Sequence, residues 1–117
     1  MNVEGQNQLE KLKKNTDFRR VYKYGKSYTD PALVVYVIKN RAGFCRIGFT
    51  ASKKIGNAVQ RNRARRVLKA AFDMIQKDFS DNFDIIIVAR TKTIFKKSTE
   101  IYPVLNSILE KSGVIKN

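Results

Sequence analysis

The residues in this sequence best equipped for chemistry are cations. Between Ser52 and Phe72, in the stretch SKKIGNAVQRNRARRVLKAAF, stand Lys53, Lys54, Arg61, Arg63, Arg65, Arg66 and Lys69, with no acid among them. Like charges one helical turn apart repel mildly. A purely solvated charged face would leave that repulsion unrelieved, whereas a polyanion relieves it. An arginine fork grips phosphate through paired hydrogen bonds, and lysine adds a point charge. Gly56 and the helix N-terminus that follows it offer backbone N–H groups to one further phosphate.

The groups that would break a bond are missing. The chain has no histidine, hence not the usual general base near neutral pH. No acids stand at metal-ligand or glycosidase spacing in a motif, and no Cys–His or Ser–His couple is present. Asp78, Asp81 and Asp84 lie close in sequence, across a helix end and a loop. They read as a solvated acidic turn rather than a metal site. The pattern is that of a binder.

Stepping out from the motif, the charge is concentrated in one region. Of a formal +14, residues 31–72 contribute ten cations and no Asp or Glu. The first 30 residues hold seven cations and four acids, and residues 73–117 hold seven and six. Such an excess speaks to partners rather than to fold, and nucleic acid is the commonest polyanion. No apolar run approaches the roughly 20 residues that span a bilayer, and MNVEGQNQLEK lacks a signal-peptide core. No membrane role is expected. A single cysteine, Cys45, fits a reducing cytoplasm and inert packing.

The 117 residues suffice for one domain with one modest core. Residues 1–10 read as a flexible tail and 11–117 as a single RNA-binding domain. A first helix is expected from Thr16 to Tyr24, capped by Asn15 or Thr16 and ended by Gly25. Phe18, Val21 and Tyr22 form its apolar-aromatic stripe. Strands are expected over 26–29, 32–38, 45–52 and 84–90. On the third, Ile47, Phe49 and Ala51 face one way, while Arg46, Gly48, Thr50 and Ser52 face the other.

Asn57 caps a long helix reaching about Lys77. Ala64, Val67, Ala71, Met74 and Ile75 form its apolar side, opposite an Arg61, Arg65, Lys69 stripe flanked by Asn62 and Arg66. A last helix lies between Ser98 and Lys111, with Pro103 delaying regular structure to about Ile101. The strand–helix–strand unit implies parallel pairing, so the class is α/β. Periodicity alone favours a right-handed crossover.

Phe18, Tyr22 and Tyr36 admit two readings, core packing or base stacking. Single-stranded RNA is held by stacking bases on such rings while cations track the backbone.

The stretch Ser52 to Phe72 resembles the signature of the protein subunit of bacterial ribonuclease P, centred on Arg61-Asn62-Arg63. LKKNTDFRRVYKYG (12–25) resembles that family's opening segment, and LVVYVI, RIGFTASKK and DIIIVAR resemble its strands. The likeness spans Leu12 to Leu109. It implies an α-β-β-β-α-β-α fold: an α+β two-layer sandwich with a mixed four-stranded sheet and a left-handed β-α-β crossover. The second domain of a small-subunit ribosomal protein is built alike.

It further implies a ribonucleoprotein whose RNA subunit uses Mg²⁺ to cut the 5′ leader from precursor tRNA. The protein would then bind, not cut. By position, Lys53, Lys54, Asn57, Arg61, Asn62, Arg63, Arg65, Arg66 and Lys69 would contact the catalytic RNA. Phe18, Tyr22, Tyr36, Arg46, Thr50 and Ser52 would line the leader cleft. Where some relatives carry Phe, Tyr22 keeps the stacking face and adds a hydroxyl. Protein metal ligands are not fixed by the likeness. Two rivals remain: a structural ribosomal protein that binds folded rRNA, and a basic amphipathic helix on anionic membrane. The motif set disfavours the first, and an Ala/Val-rich apolar face needed for the core disfavours the second.

Overall fold

In the computed structural model, residues 9–80 and 82–115 are described. The strands are β1 (Leu9–Lys11), β2 (Lys26–Thr29), β3 (Leu33–Lys39), β4 (Cys45–Thr50) and β5 (Phe83–Ala89), of which β3 and β5 are the runs of β-branched residues. The helices are α1 (Asn15–Tyr24), α2 (Ala58–Asp73) and α3 (Ser98–Lys111). Short 3-10 turns cover Lys53–Ile55 and Thr91–Phe95. After β1 the order is the expected one, and each shared strand lies within two residues of its expected bounds.

One five-stranded sheet runs β1-β4-β5-β3-β2. β4 pairs parallel with both β1 and β5, while β3 is antiparallel to β5 and β2. The unit β4-α2-β5 is thus the parallel crossover. The expected sheet of four strands gains a fifth, because Leu9 to Lys11 pair with Cys45 to Ile47. Leu9 and Glu10, expected in the tail, therefore open the sheet. Residues 1–8 of that segment lie outside the described residues.

Alternation sorts the strands into two faces. Leu33, Val35, Val37, Cys45, Ile47, Ile85, Ile87 and Ala89 join Leu68, Phe72, Leu105 and Leu109 in the main core under α2 and α3. On the other face a smaller cluster, Leu12, Val21 and Ile86, packs with Phe18, Tyr36, Ile38 and Val88 beneath α1. α1 thus adds a partial third layer to the expected two. It covers this face only in part, and Val34, Tyr36 and Val88 remain half-buried there.

Several local expectations change. Neither Asn15 nor Thr16 caps α1: its N-cap is Lys14, without a side-chain bond, and Asn15 and Thr16 are already helical. Gly25 does end the helix, but at φ −73, not in a left-handed turn. A Cβ there would stand 2.5 Å from the Val21 carbonyl oxygen and 3.2 Å from that of Val37. The last turn of α1 itself and, less closely, the adjacent β3 leave no room for a side chain, which requires glycine.

α3 begins at Ser98, with Pro103 inside it. Proline removes the N–H that the Thr99 carbonyl would accept. Both residues are exposed, so water can satisfy that carbonyl. α2 stops at Asp73, four residues early, where Met74 and Ile75 N–H groups turn back to Ala71 and Phe72 carbonyls. Ile75 still plugs the core at 1% exposure, while Met74, expected beside it, is only half-buried.

Candidate nucleic-acid interface

The basic motif sits on a built corner. Ser52 caps the first 3-10 turn by accepting from the Lys54 N–H at 3.3 Å, leaving Lys53 and Lys54 exposed. Asn57 and Gln60 then cap α2 reciprocally: each side-chain oxygen accepts the other's backbone N–H at 2.9 Å. That box takes up two of the N–H groups counted as available to phosphate. Asn57 is first of all a cap.

Gly56 lies between the two, at φ +149, and a Cβ there would meet the Gln60 Oε1 at 2.0 Å. Gly56→Ala is therefore expected to cost about 1–3 kcal/mol through strain and loss of the box. A urea-unfolding midpoint equal to that of the native protein would refute this.

The helix buries Ala64, Val67, Leu68, Ala71 and Phe72. Asn62, Arg66 and Lys69 are exposed on the opposite side, while Arg61 and Arg65 sit half-buried on its flank. The Arg61 Nη1 donates to the Gly56 carbonyl at 2.9 Å, and the Arg63 Nε to the Ile94 carbonyl at 3.1 Å. Arg65 donates to the Asn62 Oδ1. Arg61 and Arg63 thus brace neighbouring loops while keeping their charge. Lys69 is not free of counter-charge, since Asp73, one residue beyond the acid-free stretch, pairs with it at 3.2 Å. Lys53, Lys54, Arg61, Arg63, Arg65 and Arg66 have no acidic partner among the described residues.

Beneath α1 the structure brings together part of the expected cleft. The Tyr22 and Tyr36 rings meet edge to face, centroids 5.0 Å apart, and the Tyr22 hydroxyl lies 3.2 Å from the Thr50 Oγ1. Tyr22 is 41% exposed. Phe18 is half-buried over Gly48, where a Cβ would stand 2.8 Å from its ring. Gly48 is a seat for that ring. Ser52 belongs to the loop, beyond the strand.

Arg46 does something else. Its Nε and Nη2 hold both oxygens of Asp84 at 2.7 Å, and its Nη1 reaches Asp17 of α1 at 3.4 Å. Arg20 of α1 pairs with the same Asp84, and the Asn40 Nδ2 donates to it at 2.7 Å. The hydrogen bonds it donates to Asp84 push the Arg46 guanidinium above its ordinary pKa, against the opposing pull of burial. Asp84, expected in a solvated acidic turn, is fully buried. It is the hub that ties α1 to β4 and β5. Asp81 lies outside the described residues.

Sequence reasoning missed Asp84, Arg20 and Asn40, whose contacts span 38 to 64 residues. It also missed a groove of about 630 Å³ between β1, β4 and α2, where Arg65, Arg66 and Lys69 rim a floor that includes Phe49 and Phe72. Cys45 is buried, as expected. Among the described residues, no three His, Cys, Asp or Glu side chains are grouped as a metal ion would need. No helix among them is long and apolar enough to cross a membrane.

A family model described as Ribonuclease P matches residues 7–113. The ribonuclease P protein component of Clostridium botulinum (strain Loch Maree / Type A3) is 38% identical over 105 residues, 89% of this chain and 95% of that one. Among solved structures, the RNase P protein of Staphylococcus aureus superposes with a TM-score of 0.78 at 33% identity, covering 93% of this chain and all of that one. The RNase P protein from Thermotoga maritima gives 0.74 at 26% identity, covering 87% and 96%.

Proposed function

The chain belongs to the ribonuclease P protein family, the protein component of an endoribonuclease that processes tRNA 5′ ends, and on that premise we propose how its surfaces divide the work. The face of α2 with the Lys53–Lys54 corner binds the catalytic RNA subunit. The partly covered face of the sheet beside α1 takes the single-stranded 5′ leader of precursor tRNA. Mg²⁺ used by the RNA subunit would supply the hydrolytic chemistry there, and no residue of this chain is assigned to it. The compartment is the cytoplasm.

One observation carries this reading. Among the described residues, six cations stand without an acidic partner on and beside one rigidly capped helix, and a polar-aromatic surface lies on a separate face of the same sheet. Two sites so placed can hold two RNAs at once. Lys53, Lys54, Arg65 and Arg66 are the phosphate contacts, with Asn62 beside them and Lys69 joining once it leaves Asp73. Arg61 and Arg63 contribute charge from fixed positions. Asn57 shapes the corner. Phe18 backs the leader surface formed by Tyr22, Tyr36 and Thr50, with Ser52 at its edge, and Arg46 holds that surface in place. The ribosomal-protein alternative is not favoured by the family match.

Arg65→Ala with Arg66→Ala tests the first surface, since neither side chain bonds another element's backbone. Two lost phosphate contacts should weaken binding to the catalytic RNA and make the log–log salt dependence shallower by about 1.4–1.8 units. Unchanged affinity with an unchanged slope would remove α2 from the interface.

A further inference from the structure

The most exposed large apolar side chain described is Phe95, at 77%. Scattered exposed apolar residues are ordinary, but the setting of this one is not. It ends the 3-10 turn Thr91–Phe95, whose neighbouring residues are deeply anchored. Thr93 is fully buried; its hydroxyl donates to the Ala32 carbonyl and accepts the Arg90 N–H at 2.8 Å. Ile94 is 8% exposed, and its carbonyl accepts from Arg63 of the basic helix. The ring is therefore displayed by a turn that is fixed on both sides, at little further cost in ordering.

Cations neighbour it along the chain. Lys92, Lys96 and Lys97 flank it in sequence. Lys96 and Lys97 line a hollow of about 410 Å³ with Arg63 and Arg66, closed by Ser98 and Thr99 at the start of α3. None of these five cations has an acidic partner among the described residues. The nearest acid in sequence, Glu100, is engaged as a cap, accepting the Lys97 N–H at 2.9 Å. The hollow is thus continuous with the α2 face through Arg63 and Arg66.

We infer that the RNA interface extends past α2 onto this turn, where Phe95 stacks an unpaired base of the catalytic RNA while Lys96 and Lys97 hold the adjoining phosphates. The inference rests on the proposed role of α2. A flat ring beside a cationic hollow matches the two faces of a nucleotide, apolar base and anionic backbone. A protein partner for the exposed ring would leave affinity for RNA unaffected by its loss.

Stacking and phosphate contact leave different signatures, so each can be read separately. Binding of transcribed catalytic RNA to the full chain is measured against salt for Phe95→Ala, Phe95→Trp and the pair Lys96→Ala with Lys97→Ala. Phe95→Ala should weaken binding about 5- to 150-fold with the salt slope unchanged, and Phe95→Trp should restore it. The lysine pair should make the slope shallower by about 1.4–1.8 units. A melting temperature equal to the native value shows that the turn is intact.

If Phe95→Ala binds as the native protein does, while the Arg65 and Arg66 double variant is weakened, the inference is overturned and the α2 reading stands. If the double variant also binds normally, both fall. A Phe95→Ala loss that tryptophan does not restore, or that carries a changed slope, overturns stacking.

Discussion

Asp84→Ala should destabilise the protein by about 3–5 kcal/mol, because it leaves part-buried guanidinium groups without their counter-charge. The carboxylate has no exposure to solvent, and Arg46, Arg20 and Asn40 all converge on it. A loss of this size is a large share of the 5–15 kcal/mol that stabilises an ordinary domain. It should lower the melting temperature by on the order of 10–30 °C. Asp84→Asn keeps the shape and one acceptor but not the charge. Its loss should be smaller, since the amide fills the same space and still accepts a hydrogen bond from one of the converging donors. Chemical denaturation of the three proteins measures the order. A change below about 1 kcal/mol for Asp84→Ala would mean that the hub contributes nothing to folding.

The same hub has a consequence for binding. Arg20 and Asp17 belong to α1, which also carries Phe18 and Tyr22. Through Arg46 and Asp84 the helix is clamped against β4 and β5. Arg46 therefore acts on the leader surface by positioning, whatever else it touches.

What local chemistry dictates is legible in the sequence. Asn57 announces a helix start because an N-cap needs only its own side chain and the next turn, though its partner Gln60 in the box came only with the structure. Strand interiors such as Val34 to Ile38 are visible in their β-branched side chains. The basic face is visible because charge is additive along the chain. Asp84 was not visible. Its burial depends on Asn40, Arg46 and Arg20, which reach it across 44, 38 and 64 residues, and in sequence it resembles its acidic neighbours.

β1 escaped for a related reason. Three residues, Leu-Glu-Lys, cannot display alternation, and they become a strand only because β4 offers an unpaired edge. The end of α2 was misjudged because Ile75 keeps the helical apolar period after the helix has stopped. Phe95 passed unnoticed, since nothing local distinguishes an exposed phenylalanine from a buried one such as Phe79, at 1%. Residue types reveal the chemistry on offer, and long-range contacts decide where it is presented.

Tyr22→Ala should erode the preference for precursor over mature tRNA in the reconstituted ribonucleoprotein by about 5- to 150-fold, the worth of one stacked base. The ring is well suited to the role: it is 41% exposed and braced edge-on by Tyr36. Its hydroxyl is steadied at Thr50, so little rotational freedom is lost when a base lands. Tyr22→Phe separates the two contributions. It gives up the bond to Thr50 and keeps the stacking face, so most of the preference should remain, with a loss nearer that of one exposed hydrogen bond, about 0.5–1.5 kcal/mol. Tyr36→Ala should act in the same direction, but Tyr36 also packs in the cluster beneath α1, and its effect must be corrected for stability by a thermal melt. The measurement is a pair of titrations for each variant, with precursor and with mature tRNA. Affinity for mature tRNA and for the catalytic RNA should stay at the native level, because mature tRNA lacks the leader and the catalytic RNA is assigned to the other face. Equal losses for both tRNAs, or none for either, would make these tyrosines packing residues and move the leader elsewhere on the protein.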